Sequence, residues 1–470
     1  MSTEAASLGG RRKGAPSGKT ATAGSAASWP KASVAYYTVF LLILSLTSLQ
    51  IDTNIVPYVA GKIKADLHLS DANLSLLLGA AFALFYTIVG IPISGLVDRY
   101  SRKWIIAAGI AVWSLGTALC GMAQNTLQLF LARFVVGAGE AGNGPASYSL
   151  LADLFPRERM PRAVAIMQLG SVIGPALALA ASAFLLHAFL DMESITAPWG
   201  TLHGWQLILI LVGLPGIFVA LLLVLTMPKV ARRTIPGQVA ASEARAGGLR
   251  DYIDAFAYMG RHRRVFAPMF GGLFIGSLGI GAQQWMPIFY QRTYGWHPSQ
   301  VAALSSIANP VVMIVSMAVG VFLAERFERK GNSDSAVRVL VISRLLALPG
   351  LFGVLMPSPW LAFAFGQLAF VGIGLGAPSQ NAAMQIVCPA EMRGKVTALY
   401  LFFYSVIGIG LSPFIVGALS DYFFHNEAMI RWSIFLPAII FQPLSLLVIW
   451  LGLKPYGREV ERLKALEAGA

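Results

Sequence analysis

Apolar residues in this chain do not alternate with polar ones. They run on in blocks of about 20 or more, parted by short charged or Pro/Gly-rich breaks. Each block, coiled as a helix, is long enough to cross a hydrocarbon layer roughly 30 Å thick. A helix also pairs its own backbone polar groups, which lipid cannot do. Reading block by block predicts twelve helices, over 34–60, 71–96, 103–123, 126–153, 161–190, 204–227, 265–292, 298–325, 335–357, 359–388, 394–422 and 430–453. The pattern therefore predicts an all-α membrane protein with twelve transmembrane helices.

The breaks set the expected domain organisation. Residues 1–33, rich in Gly, Ala, Ser, Lys and Arg, carry too little apolar content to fold alone and read as a disordered tail. The first apolar block is too long for the apolar region of a signal peptide and reads as a permanent span. Residues 34–227 form a first six-helix bundle, 228–264 a basic linker, 265–453 a second bundle, and 454–470 a C-terminal tail.

Composition agrees with this picture. Of 470 residues 56% are hydrophobic and only 12% charged, about half the charged share of a soluble domain. Cys120 and Cys388 lie far apart in apolar blocks, so neither a disulfide framework nor a metal site is implied. The net charge of +13 raises nucleic acid as a partner, but its distribution argues for topology instead. With the N-terminus inside, only Lys62, Lys64, Arg292 and Arg431 of the 35 Lys and Arg fall outside, and Arg133 and Arg344 within spans. All others fall in the tails or in the loops after even-numbered helices. Such asymmetry predicts both termini in the cytoplasm, with attraction to anionic lipids as a by-product and no nucleic-acid role.

The two halves resemble each other. "DRYSRK" (Asp98 to Lys103) follows the second helix, and "ERFERK" (Glu325 to Lys330) the eighth. "FPRERMPRAVA" follows the fourth and "CPAEMRGKVTA" the tenth, while "SVIGP" in the fifth answers "SVIGIGLSP" in the eleventh. Matches in the same order point to two six-helix repeats, an arrangement suited to transport by rocking one half against the other.

At "GLVDRYSRK" the residues Gly95, Asp98, Arg99, Arg102 and Lys103 resemble the signature loop of the major facilitator superfamily, and the resemblance extends over all twelve helices. "IDTNIVPYVAGKIKADLHLS" and "GAGEAGNGPASYSLLADLF" are similar to the bacterial spinster-like transporters within it; similar "GEA" text occurs in organic-anion symporters. The resemblance implies a secondary transporter with functional residues at Asp52 on the first helix and at Arg133 and Glu140 on the fourth. Thr53 stands where members usually carry an Arg, so a direct charge contact there to an anionic substrate is not implied. A lipid-like, amphipathic cargo such as a lysolipid is the implied substrate.

The residues themselves suggest the chemistry. Arg133, Gly137 and Glu140 are four and seven positions apart and share a helix face. Burial and a neighbouring Arg act in opposite directions on a carboxylate's proton affinity, so a moving Arg or entering water can switch proton occupancy. Intramembrane charges are costly and by default functional. Asp52, Glu140 and Arg133 are accordingly the expected proton-coupling group; the plainer alternative is that Arg133 and Glu140 neutralise one another and brace the bundle.

The signature loop, with Glu325, Arg326 and Arg329 as its second copy, is expected to hold the cytoplasmic side shut; the alternative is that these charges mark orientation. Thr53, Asn143, Gln283, Gln284, Trp285, Asn381, Gln385 and Tyr404 are expected to line a partly aromatic substrate cavity, although interhelical hydrogen bonding would also employ them. Arg344 is expected to reach toward the cytoplasmic interface. "GSVIGP" (Gly170 to Pro175) is similar to an antiporter motif, without the glycines that should follow, and inclines the reading to export.

"GAGEAG" (Gly137 to Gly142) matches a dinucleotide fingerprint but lies inside an apolar helix, without the strand that motif needs. No Walker loop, nucleophile elbow or zinc-protease motif occurs. The expectation is thus a monomeric proton-coupled transporter in a bacterial-type inner membrane, with no cofactor, metal or enzymatic activity. Its partners would be protons, membrane lipids and a small-molecule or lipid-like substrate. A proton symporter for a small aromatic or sugar-derived acid, and a non-transporting membrane sensor, are the alternatives.

Overall fold

A computed structural model describes residues 29–156, 159–197, 200–228, 230, 249–279, 282–389 and 392–468. Its spans are numbered here α1 to α12. In the first half, α1 is Ala32–Asp66, α2 covers 71–99, α3 is Arg102–Met122, α4 covers 126–154, α5 is Met160–Phe189 and α6 is Gly204–Thr226. In the second, α7 covers 263–294, α8 is Pro298–Arg329, α9 covers 335–355, α10 is Pro359–Ile386, α11 covers 393–424 and α12 is Ile430–Leu451. Only a small antiparallel hairpin, Ile195–Ala197 with Gly200–Leu202, interrupts the helices among the described residues. Most of the 1–33 tail and residues 231–248 of the linker lie outside the described residues.

Eleven helices among the described residues are long and apolar enough to cross a membrane. The twelfth, α4, differs from its expected form because it breaks into Thr126–Glu140 and Asn143–Leu154. Pro145 lacks the N–H that would bond the Ala141 carbonyl, and its ring crowds that carbonyl; the ladder resumes with Ala146 N–H donating to the Gly142 carbonyl at 3.2 Å. Two further departures concern the ends of the halves. The linker contains a helix, Leu249–Arg261, and the expected C-terminal tail is a helix, Leu453–Ala468, which buries Tyr456 and Val460.

The two halves pack alike. α3 lies on α4 and α6 as α9 lies on α10 and α12, and α2 lies on α4 as α8 lies on α10. The larger cluster of buried apolar side chains starts in the first half and continues across to Trp285, Ile288, Phe289, Ile430 and Ile434 of the second. That crossing lies at the end of the bundle holding the α1–α2 turn, called here the turn end. The opposite end, called the tail end, carries the start of α1 and the end of α12.

Two helix pairs make most of the contact between halves: α5 packs along α8, and at the turn end the first turns of α2 meet 405–418 of α11. Two glycines permit the α2–α11 approach. A Cβ on Gly79 would lie 2.1 Å from the Ile409 carbonyl oxygen, and one on Gly417 2.0 Å from Ser75 Oγ. Both helices also carry π-helical turns there, Leu76–Ala80 and Ser405–Leu411.

Candidate functional site: a central cavity beside a buried charge cluster

A cavity of about 510 Å³ opens between the halves. Its walls are largely apolar and aromatic, with Tyr58, Phe82, Tyr290, Phe363 and Phe370 among them. Polar side chains interrupt them: Thr53 and Asn54 on α1, Arg133 on α4, Ser171 on α5, Gln283 and Gln284 on α7, Ser305 and Asn309 on α8, Ser343 and Arg344 on α9, Gln367 on α10 and Gln442 on α12. The Gln284 Oε1 is buried without a hydrogen-bond partner.

The three intramembrane charges of the first half come together at this wall, with Arg133 on it and Asp52 and Glu140 behind it. Asp52, Arg133 and Glu140 are 1%, 4% and 2% exposed. Asp52 lies near Thr117, Trp113, Glu140 and Arg133. It makes no hydrogen bond of normal geometry, however, and both its oxygens and the Trp113 indole nitrogen lack a partner. Thr53 donates its hydroxyl to the Leu49 carbonyl at 2.9 Å and reaches Glu140 Oε1 at 3.5 Å. Because Thr53 also lines the cavity, it stands between substrate space and the glutamate.

Arg133 and Glu140 form no ion pair; seven residues of helix set their backbones about 10 Å apart along the axis. Arg133 lies over the Phe82 ring, 5.7 Å from its centre, with its Nε unpartnered. Mutual neutralisation by direct contact is therefore not how this pair sits. Asn143, just past the break in α4, is buried and accepts a hydrogen bond from Ser45 at 2.9 Å. It braces α1 against α4 and is not on the cavity wall.

Gln283 and Gln284 meet the cavity as expected of them, but the neighbouring residue does not. Trp285 is fully buried and donates its indole N–H to the Pro413 carbonyl at 3.1 Å. About 100° of helix rotation per residue turns it from the cavity onto α11. Asn381 and Gln385 share an exposed face of α10 and do not line the cavity. Tyr404 is also off the wall; it stacks on Tyr400 and lies near Arg344. Arg344 itself corrects the expectation of an interfacial arginine, since it contributes to the cavity wall.

The signature loop packs into its own half. Arg102 is buried and ion-paired with Asp153 of α4, an acid the sequence reading passed over. Lys103 donates to the Met227 carbonyl at 2.6 Å, beyond α6. Arg99 is exposed, and the surroundings of Gly95 and the Asp98 side chain lie outside the described residues. In the second copy, Arg329 pairs with Glu325 at 2.9 Å within one turn of α8, and Arg326 is exposed. None of these contacts links one half to the other.

What does link them is a cluster at the turn end. Arg292 of α7 donates two hydrogen bonds to Asp71 at the start of α2, each 2.8 Å, and Ser420 adds a third at 2.6 Å. Lys64 bonds Asp71 as well and reaches Glu427 at 2.8 Å. The Asp421 carboxylate accepts from the backbone N–H groups of Asp71 and Ala72, capping α2 from the other half. Nearby, His297 contacts Asp191 at 2.9 Å across the halves. Lys62 is the main cause holding the Asp191 carboxyl below its ordinary range, followed by His297. From sequence, Lys64 and Arg292 were visible only as charges on the sparsely charged side.

Twelve packed helices in two like halves around a central cavity define a membrane transport protein. Residues 40–413 match the profile of the Major Facilitator Superfamily, and the chain belongs to that family. It is similar over most of its length to a protein of Mycolicibacterium smegmatis named an MFS-type efflux pump, 26% identical, covering 91% of this chain and 94% of the other. A protein of Bacillus subtilis named a probable galactarate/D-glucarate transporter is 24% identical, covering 82% and 86%. Spinster homolog 1 of Xenopus tropicalis is 25% identical, covering 77% and 68%. Among solved structures, a bacterial homologue of the human lysosomal transporter Spinster, inward-facing and unoccupied, superposes with a TM-score of 0.72. It is 23% identical and covers 92% of this chain and 98% of the other, a likeness of fold.

Proposed function

We propose that this protein is a proton-coupled secondary transporter of an amphipathic or organic-anion substrate, working by alternating access. The observation that carries the reading is the buried cluster of Asp52, Glu140 and Arg133, in which Arg133 lines the cavity and Thr53 stands between the cavity and Glu140. Two carboxylates share one guanidinium, so a single proton brings the cluster to neutrality. An anion drawn to Arg133 competes with the carboxylates for it and alters how tightly they hold that proton. Substrate and proton would then be linked through one set of charges. The superfamily membership supports transport; the roles of the three residues are our inference.

The aromatic and apolar lining favours a cargo with a long apolar body over a fully polar one. Likeness to probable galactarate/D-glucarate transporters supports a small sugar acid as the second reading. On the positive-inside rule the basic tail end faces the cytoplasm of a bacterial-type cell. The closed turn end is then external, so this conformation is closed to the outside.

The test uses purified protein in liposomes loaded with a pH dye, offered 1-oleoyl-lysophosphatidate or D-glucarate. A coupled transporter moves protons with one of these, and Glu140→Gln abolishes pH-driven accumulation while substrate exchange continues. Intact proton-driven accumulation in Glu140→Gln would sink the assignment. A response to the lysolipid alone favours the amphipathic cargo, and one to glucarate alone the sugar acid.

A further inference from the structure

Arg344 occupies an unusual position for a cation. It lies in α9, well inside the second half, and contributes to the wall of the central cavity that Arg133 of the first half also lines. Arg344 forms no ion pair with any described residue, and its Nε is buried without a hydrogen-bond partner. The titratable groups that face it are the phenols of Tyr400 and Tyr404, which at neutral pH supply no negative charge. Room for the guanidinium is kept by Gly276 of α7, where a Cβ would lie 3.3 Å from both Arg344 Cζ and Nη2. The fold thus accommodates a buried cation and provides no anion for it. Buried charges are ordinarily paired, so the missing partner is expected to come from outside the chain.

We propose that Arg344 is the anchor in the second half for the negatively charged group, carboxylate or phosphate, of the transported substrate. This deepens the transporter reading and rests on it. The first half has carboxylates beside its arginine, whereas the second has none, so the second half is where an anion adds charge balance instead of repulsion. An anionic group on Arg344 with the remainder of the molecule along the aromatic wall would touch both halves at once. Gln442 of α12, which donates to the Gly276 carbonyl at 3.0 Å and lines the cavity, fixes the α7 backbone beside the guanidinium.

Two measurements on the purified full-length protein test this. The first needs no substrate. A structural arginine would cost stability when removed, whereas an arginine held without a partner destabilises the empty protein. Arg344→Met should therefore unfold at a higher temperature than wild type with no ligand added; a lower unfolding temperature, or failure to fold, overturns the proposal. The second measures affinity for charged probes and their neutral counterparts: 1-oleoyl-lysophosphatidate against monoolein, and D-glucarate against glucitol. Arg344→Gln should weaken the charged member of the preferred pair at least tenfold and leave its neutral counterpart unchanged, with Arg344→Lys intermediate. An unchanged preference in Arg344→Gln, or no binding of either charged probe to wild type, overturns it. Which pair responds tells a lipid-borne phosphate from a free acid. Failure here leaves the Glu140→Gln result on proton coupling standing, so the two readings fall separately.

Discussion

A buried carboxylate with neither oxygen paired is a liability that a structural role would not leave in place. Asp52 is in that state, on a helix face where Thr117 and Trp113 are near without bonding it. An unsatisfied buried polar group costs about 1–3 kcal/mol, more when charged. Asp52→Leu should then stabilise the fold by about that amount, seen as a higher unfolding temperature, and abolish proton-driven transport. A lower unfolding temperature would instead make Asp52 a structural partner. At this scale the sequence was informative about which residues carry chemistry, since a charge within an apolar block stands out by itself. It was poor about where they point. Trp285 adjoins two cavity glutamines yet faces away, and Arg344 looked like an arginine bound for the interface. Both depend on the rotation of a helix about its axis relative to helices from the other half, which apolar blocks buried or lipid-facing all round do not encode.

The helices were legible because each apolar block is bounded by polar breaks, and their interruptions were less so. α4 reads as one block, but Pro145 divides it immediately after Glu140, leaving that carboxylate at the C-terminal end of a helical segment, where the backbone dipole disfavours an anion. Loss of the break should therefore alter proton coupling before it alters folding. The α2–α11 contact is a second feature set by single residues. Any side chain on Gly417 would overlap Ser75 Oγ and the Asp71 carbonyl oxygen, 2.4 Å away. Gly417→Leu should leave each half folded and force the turn end apart. The readout is labelling of a cysteine placed at Ser75, buried in this conformation, by a membrane-impermeant thiol reagent in a protein freed of Cys120 and Cys388. Faster labelling in the Gly417→Leu background is expected, and an unchanged rate would mean the helices slide past the added side chain.

At the scale of the whole molecule, transport requires that neither end be sealed too well. The turn end is closed by apolar packing plus the Asp71 cluster, in which a fully buried carboxylate is met by Arg292, Lys64 and Ser420. The sequence could not reveal this cluster, because its members come from α1, α2, α7, α11 and the segment before α12, and only the docking of the halves unites them. When the turn end opens, water can hydrate each of these groups, so the cluster favours the closed state alone. Asp71→Asn removes the charge and leaves Arg292 under-paired in the closed state. Breaking such a buried pair costs about 3–5 kcal/mol, enough to shift the closed-to-open ratio on the order of a hundredfold or more. Spin labels at Leu67 and Ala428 read the result as a distance distribution across the turn end. Wild type should give one short distance, and Asp71→Asn a population at longer distance that grows at the expense of the short one. Substrate turnover should fall with it, because a protein resting open on the outside must rebuild the closed end in every cycle. If the short distance persists unchanged in Asp71→Asn, apolar packing around Trp285, Ile430 and Ile434 holds the end closed, and the ion cluster contributes specificity of docking without controlling the state.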